Sequence, residues 1–386
     1  MEGFEGLREI LEANILDWWL ALEDPSGGFF GEVDGKGNLH PEAPRGTVLN
    51  ARILWTMSAA ARVLGRNDCL EAARREAAYF MDRFLDRDNG GAYWSITSGG
   101  EPLETKKQLY AQAFAIYGLS EYFRVSGDPR ALAEAVFLFR LVEKHFRDRT
   151  FGGYTEALSR DFSPLEDMSL SGHDINAPKT MNSHLHLLEA YANLFSVWPD
   201  KALGSASREL LAIFRERITA PDGHLLLYFT DDWTPLPGAV SYGHDIETSW
   251  LAMECAEILG DHSPGIVPWC RRLSDAGNSG LLPDGSMMYE TLPDGTSDTS
   301  RQWWVQAEAV VGNLYLAKYH RIPEGMTNAR KLWTFITEHL VDREGGEWYW
   351  AVLPDGKADT DSVKAGFWKC PYHNSRMCLE ALRLLQ

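Results

Sequence analysis

Gly27-Gly28-Phe29-Phe30, Gly90-Gly91-Ala92-Tyr93-Trp94, Gly152-Gly153-Tyr154, Asp222-Gly223-His224-Leu225, Asp284-Gly285-Ser286-Met287-Met288-Tyr289 and Gly345-Gly346-Glu347-Trp348-Tyr349 are six versions of one turn. Each sets an aspartate- or glycine-rich corner before an aromatic or large apolar residue, and a helical pattern follows. The second glycines or their equivalents stand at 28, 91, 153, 223, 285 and 346, with spacings of 63, 62, 70, 62 and 61. A period of this size kept through a chain marks a repeat architecture, in which no unit can bury its apolar face alone and each must stack on its neighbours.

Within each unit an amphipathic stretch leads into the turn and a second, more apolar one returns, with apolar residues at 3 and 4 spacing. The pattern predicts first-type helices near 5–22, 66–85, 130–147, 203–219, 264–276 and 326–340. It predicts second-type helices near 47–64, 108–125, 182–197, 244–260, 302–319 and 372–385. The second set is more apolar and carries the odd polar residues, so it is expected to form the inner ring. The expected fold is all-α, an (α/α)6 barrel of twelve helices in six repeated pairs, with the glycine turns as short hairpins at one end. An open superhelix is the alternative, but it needs polar capping units. No Pro/Ser/Gly linker interrupts the repeat, so residues 1–386 are expected to be a single catalytic domain.

Composition narrows the function. The hydrophobic fraction is 45%, enough for a substantial core, and the 14 tryptophans suggest stacking platforms for sugar rings alongside core filling. A formal charge of -18 argues against nucleic acid and anionic membrane as partners and favours a neutral or cationic small substrate. The five cysteines are odd in number and scattered, a pattern of reduced thiols. The start Met-Glu-Gly-Phe-Glu has no basic region followed by an apolar core, and no uncharged run reaches the roughly 18 residues of a membrane span. The expected location is cytoplasmic.

The inner helices begin with unusual polar residues in unit after unit: Arg52; Tyr110 and Gln112; Asn182, His184 and His186; His244 and Glu247; Trp304 and Glu308; Tyr372, His373 and Asn374. In a closed barrel all inner helices start at the same end, so these side chains converge on one funnel. Histidine suits proton transfer in both directions near neutral pH. His184, His244 and His373, with Arg52 as a permanent cation, describe a proton-transfer site with an anion stabiliser. His186, two residues from His184 and so on another face, reads as a satisfied core group. Glu247 stands three residues after His244, where its carboxylate could hold the imidazole tautomer. No metal is expected: residues two apart on a helix point about 200° from each other, so His184 and His186 cannot both ligate one ion, and no His-Glu-x-x-His motif is present. There is likewise no phosphate loop and no G-x-S-x-G elbow.

Arg45-Gly46 through Asn50-Ala51-Arg52-Ile53-Leu54-Trp55, Tyr110-Ala111-Gln112-Ala113-Phe114, the run Asn176 to His186, Ser241-Tyr242-Gly243-His244-Asp245-Ile246-Glu247, Gln302-Trp303-Trp304-Val305-Gln306-Ala307-Glu308 and Trp368-Lys369-Cys370-Pro371-Tyr372-His373-Asn374 resemble the cellobiose 2-epimerases of the N-acylglucosamine 2-epimerase superfamily. The resemblance covers all six units. It implies an isomerase on an (α/α)6 barrel with no cofactor, interconverting glucose and mannose at the reducing end of β-1,4-linked disaccharides such as cellobiose and lactose. It implies His244 and His373 as the acid/base pair, His184 and Arg52 at the substrate oxygens around C1 and C2, Glu247 as the support of His244, and Trp304 and Trp368 as stacking surfaces. Tyr110, Asn182 and Glu308 join these as substrate-binding residues. The loop Leu165 to Asp174 is placed to touch the second sugar. The expected partner is thus a small-molecule disaccharide, and the expected state a monomer. An N-acylglucosamine 2-epimerase or a mannose-type aldose-ketose isomerase would use the same residues. A glycoside hydrolase on the same barrel would need two carboxylates flanking the bond, where this funnel is rich in histidine.

Overall fold

The computed structural model describes residues 2–172 and 174–386, so Met1 and His173 of the 165–174 loop lie outside the described residues. Among these, twelve helices alternate between an outer and an inner ring. The outer helices are Leu7–Glu9, Ile10–Leu16 and Asp17–Leu20 in one unbroken run, then Asn67–Arg83, Pro129–His145, Lys201–Ile213, Ile266–Asn278 and Pro323–Phe335. The inner helices are Thr47–Leu64, Leu109–Ser126, Met181–Val197, Tyr242–Leu259, Trp303–Lys318 and Tyr372–Leu384. Three outer helices contain wide π turns, at Ile10–Leu16, Phe214–Ile218 and Ile336–Leu340. The last two carry the fourth and sixth outer helices on to the ends expected from periodicity.

Each inner helix packs on the next, and Tyr372–Leu384 packs on Thr47–Leu64, so the ring closes and the open superhelix is excluded. Hydrogen bonds between the first and last units seal it. The Trp19 indole N–H donates to Glu347 Oε2 at 2.6 Å, the Glu347 N–H to the Asn14 carbonyl at 2.9 Å, and the Trp333 indole N–H to the Glu5 carbonyl at 3.2 Å. Enclosure explains why the inner helices are apolar on every side: residues 47–61 are buried without interruption.

The turns behave as one motif. Gly28, Gly91, Gly153, Gly223, Gly285 and Gly346 all have positive φ, so the Asp-Gly and Gly-Gly versions are structurally equivalent. At Gly153, with φ 75°, a Cβ would stand 2.4 Å from the Trp233 ring and 2.9 Å from His184 Nε2, so both conformation and space demand glycine there. Cations two residues ahead of three inner helices clamp the aspartates that open the turns. Lys107 reaches Asp86 at 3.0 Å, Lys179 reaches Asp148 at 2.7 Å, and Arg45 bonds Asp24.

Short strands, absent from the sequence reading, join successive units. The two residues before an inner helix pair antiparallel with two residues beyond the next turn: 45–46 with 95–96, 107–108 with 157–158, 179–180 with 228–229, 240–241 with 290–291 and 301–302 with 351–352. A bridge from Val33 to Ala365 completes the belt. Two-residue strands are too short to show an alternating pattern, but they set the height and rotation at which every inner helix enters the funnel. No helix among the described residues is long and apolar enough to cross a membrane.

Candidate active site

The belt makes position within the inner helix meaningful from unit to unit. The fourth residue in four of the helices is Gln112, His184, Asp245 or Gln306, and each ties the helix to a turn. Gln112 accepts from the Ala92 N–H at 2.7 Å, Asp245 from the Leu225 N–H at 2.8 Å and Gln306 from the Met287 N–H at 2.8 Å. His184 does the same: Nε2 accepts from the Tyr154 N–H at 3.0 Å while Nδ1–H donates to the Thr180 carbonyl at 2.7 Å. Burial pushes its pKa down to about 4, in keeping with a neutral ring. The expectation that His184 addresses substrate oxygens is therefore corrected, because both of its nitrogens are committed to backbone. His184→Gln is expected to keep kcat within about threefold of wild type, since Gln reproduces both bonds in other units. His184→Ala leaves a buried N–H unpaired and costs about 1–3 kcal/mol. Thermal melts and steady-state rates of both variants check this, and a glutamine variant without turnover would restore His184 to the chemistry.

Two residues farther along stand Arg52, Phe114, His186, Glu247 and Glu308, while Arg376 is the fifth residue of the last inner helix; with the residues that open the same helices they form the funnel floor and walls. On one wall the Trp304 indole packs against two imidazoles, its centroid 4.7 Å from His244 and 5.7 Å from His373. His244 Nδ1 meets the Ser241 hydroxyl at 2.7 Å. Burial, reinforced by the neighbouring His186, drives the His244 pKa down to about 3, so the ring is an unprotonated base at neutral pH. Burial and then Arg52 and Arg376 lower that of His373 as well. On the facing wall Arg52 donates to the Tyr110 hydroxyl at 2.8 Å, and its guanidinium lies 4.2 Å from the Phe114 centroid and 4.8 Å from that of Tyr372. Trp368 packs 5.9 Å from Tyr110 and 5.8 Å from Trp94.

The expected support of His244 by Glu247 is also corrected. Glu247 accepts from Arg376 at 2.6 Å, and its nearer imidazole is that of His373, 4.0 Å from Nδ1. It is Glu308, expected as a substrate contact, that accepts the Nδ1–H of His373, at 2.7 Å. His186, read as a core group, shares the funnel register: its Nδ1 meets Glu189 at 3.0 Å, and its ring lies 5.1 Å from Tyr110 and 4.8 Å from Phe114. His186, Glu189, Ser241 and Arg376 were the residues the sequence reading missed as members of the site. Counting two from the fourth helical residue would have found His186, because the same count passes through Arg52, Glu247 and Glu308; Arg376 falls one residue short of it.

The funnel opens at a cavity lined by Met168, Ser169, Leu170, Asp174 and Ile175 of the loop, together with Asn182, Tyr228 and His244. The Tyr228 hydroxyl donates to Asp174 at 2.8 Å, and Asn182 Oδ1 is buried with no donor among the described residues. Among the described residues the one cluster close enough to hold a metal is Glu247, Glu308 and His373. Arg376 already donates to both glutamates, at 2.6 and 2.7 Å, so the cation of this cluster is a guanidinium. Arg52, by contrast, has no carboxylate within 4 Å among the described residues and carries an unpaired buried charge.

The same architecture recurs in known proteins. Residues 28–376 match the family described as N-acylglucosamine 2-epimerase (GlcNAc 2-epimerase). A cellobiose 2-epimerase of Bacteroides fragilis is 47% identical over 382 residues, covering 97% of each chain. The structure of cellobiose 2-epimerase from Spirochaeta thermophila superposes with a TM-score of 0.92 at 41% identity, over 98% of this chain and 97% of that one. That from Bacillus thermoamylovorans gives a TM-score of 0.95 at 35% identity, over 98% of each. With the fold, the funnel and these likenesses in agreement over nearly the full length, the chain belongs to the N-acylglucosamine 2-epimerase family.

Proposed function

We propose that this protein is a cellobiose 2-epimerase, which interconverts glucose and mannose at the reducing end of β-1,4-linked disaccharides such as cellobiose and lactose. The observation that carries this reading is the placement of His244 and His373, from separate helices, on the Trp304 indole, opposite the unpaired charge of Arg52. An indole floor accepts the apolar face of a pyranose, and two imidazoles beside it provide two proton-transfer groups.

Epimerisation at C2 requires the ring to open. His373, with Nδ1–H given to Glu308, offers Nε2 to the O1 proton and, as an imidazolium stabilised by that carboxylate, returns it to the ring oxygen as the C1–O5 bond breaks. In the aldehyde the carbonyl acidifies the C2 proton, which His244 removes. The resulting cis-enediolate carries its charge chiefly on O1, where Arg52 supplies charge stabilisation and a hydrogen bond. His373, neutral after giving its proton to O5, takes a proton from solvent entering at the mouth and delivers it to the opposite face of C2, which gives the epimer. A single base would return the proton to the face it left. Proton balance between the two rings is restored through solvent entering at the mouth. Trp368 stacks the sugar from the Tyr110 side, while Asn182 and the loop carrying Asp174 receive the second ring. We take residues 1–386 as one catalytic domain, acting as a monomer in the cytoplasm on a small sugar, without nucleic-acid or membrane partners and without a metal or nucleotide.

The test is incubation with cellobiose in D2O with a chelator present. Glucosyl-mannose bearing deuterium at C2, read by mass spectrometry and proton NMR, is the expected product. Epimer without label at C2 would overturn the two-base scheme, and activity that needs a divalent ion would overturn the histidine-only chemistry. Turnover of N-acetylglucosamine or mannose in place of cellobiose would move the substrate assignment to another branch of the family.

A further inference from the structure

Arg376 lies beneath the funnel with 2% of its side chain exposed. One of its terminal nitrogens bonds Glu189 and the Tyr372 hydroxyl. The other donates to Glu247 at 2.6 Å and to Glu308 Oε1 at 2.7 Å. Two of these acceptors lead onward to imidazoles: the same Glu308 oxygen receives the Nδ1–H of His373 at 2.7 Å, and Glu189 meets His186 Nδ1 at 3.0 Å. The Trp250 indole N–H occupies the other Glu308 oxygen at 3.0 Å, so that carboxylate is held at both ends. We propose that Arg376 is a positioning residue of the reaction: its guanidinium keeps Glu308 ionised and aimed at His373, which fixes the His373 proton on Nδ1 and leaves the Nε2 lone pair facing the substrate.

The charge balance makes this role necessary. Three buried carboxyls, Glu189, Glu247 and Glu308, share one guanidinium, and burial drives Glu247 up to about 8 and Glu308 above its ordinary value. Arg376 is the cation in contact with all three. Among the described residues the other charged or titratable groups around His373 are Arg52 from the first inner helix, His186 from the third and the adjacent Tyr372; of these only Arg52 is a fixed cation, and it contacts none of the carboxylates. Without Arg376 the carboxyls hold protons to higher pH. A protonated Glu308 has lost the charge that attracts Nδ1–H, and the imidazole then turns its N–H toward the funnel, where it cannot take a proton from O1.

The kinetic arm of the test rests on the epimerase reading, while a spectroscopic arm needs no turnover. In the wild-type chain, ring-nitrogen NMR of 15N-histidine-labelled protein is expected to show His373 as the Nδ1–H tautomer throughout pH 6 to 8. An Nε2–H tautomer would overturn the proposal whatever any variant does. Arg376→Gln, neutral but polar, is expected to shift the His373 tautomer, to lower kcat about 100-fold with a smaller change in KM, and to move the acid limb of the kcat/KM profile up by about 1–2 pH units. The direction follows because a carboxylate deprived of its cation ionises only at higher pH. Arg376→Lys keeps the charge without the bidentate reach, so it should keep the limb within about half a unit while kcat drops about tenfold. Folded variants that lose rate equally, with the limb and tautomer unchanged, would reduce Arg376 to a packing role. Should the glutamine variant not fold, a lysine variant with an altered tautomer would overturn the charge argument, and one with the tautomer retained would support it. Absence of cellobiose turnover by the wild type would refute the epimerase reading and leave the NMR result standing.

Discussion

His244→Ala and His373→Ala are each expected to lower kcat by at least about 100-fold, because a positioned acid or base contributes that much and each histidine serves a different face of the enediolate. The fold should survive both changes. His244 makes its hydrogen bond to Ser241 at the start of its own helix, so truncation frees one hydroxyl. Loss of His373 leaves Glu308 still bonded to Arg376 and the Trp250 indole. Circular dichroism should therefore show unchanged helix content beside the lost turnover. A variant that retained more than about a tenth of the wild-type rate would end the two-base assignment, since that loss is below what general acid-base catalysis supplies. The two variants should also separate in solvent exchange. With His373 gone, His244 can still wash label into C2 of unreacted substrate if the sugar is supplied already open; with His244 gone, that exchange stops.

Arg52→Met is the second large effect, and it is expected to divide activity from stability. Arg52 is 3% exposed, its Nε has no acceptor among the described residues, and its bonds are to the Tyr110 hydroxyl and the Cys370 sulfur. A guanidinium buried this way is costly to the fold. It is useful only when an anion forms beside it, which is what the enediolate step requires. Removing one such donor costs about two to three orders of magnitude in rate. Methionine can fill the space against Phe114 and Tyr372 without a buried charge, so the melting temperature should hold or rise while kcat collapses. A variant that melted lower and kept its rate would show Arg52 to be a structural residue. Arg376→Met differs in sign: that guanidinium compensates three buried carboxyls, so its loss should destabilise the protein.

Much of the site was legible because repeats impose arithmetic on a chain. The turn glycines set the period, and the apolar content of the second helix in each unit set which ring was inner. Polar residues at the start of an enclosed helix had two places to go, the turn or the funnel. The sequence reading assigned Arg52, Tyr110, Asn182, His244, Glu247, Trp304, Glu308 and His373 to the funnel in this way, and Trp368 from the resemblance. The errors were errors of rotation. His184 and His186 lie two residues apart, about 200° around the helix, and nothing local tells which faces inward. The turn opposite decides it, because the Tyr154 N–H needs an acceptor and His184 is within reach. In the same way Glu247 was paired with His244 through an i+3 relation along one helix, while the stronger attraction came from Arg376 on another.

What the sequence alone determined, then, is the part of this protein governed by local chemistry and by period: six helix pairs, the glycine corners that only positive φ permits, the enclosure of the apolar helices, and the choice of residue types suited to proton transfer. Only the tertiary structure decided which side chains share a proton. Hydrogen bonds between carboxylate, guanidinium and imidazole act over about 3 Å, and the groups that meet here are separated by as many as 187 residues of chain, as Arg376 and Glu189 are. Those partners are set by the rotation of each inner helix, and that rotation is fixed by two-residue strands and turn hydrogen bonds too short to leave a periodic trace in the sequence.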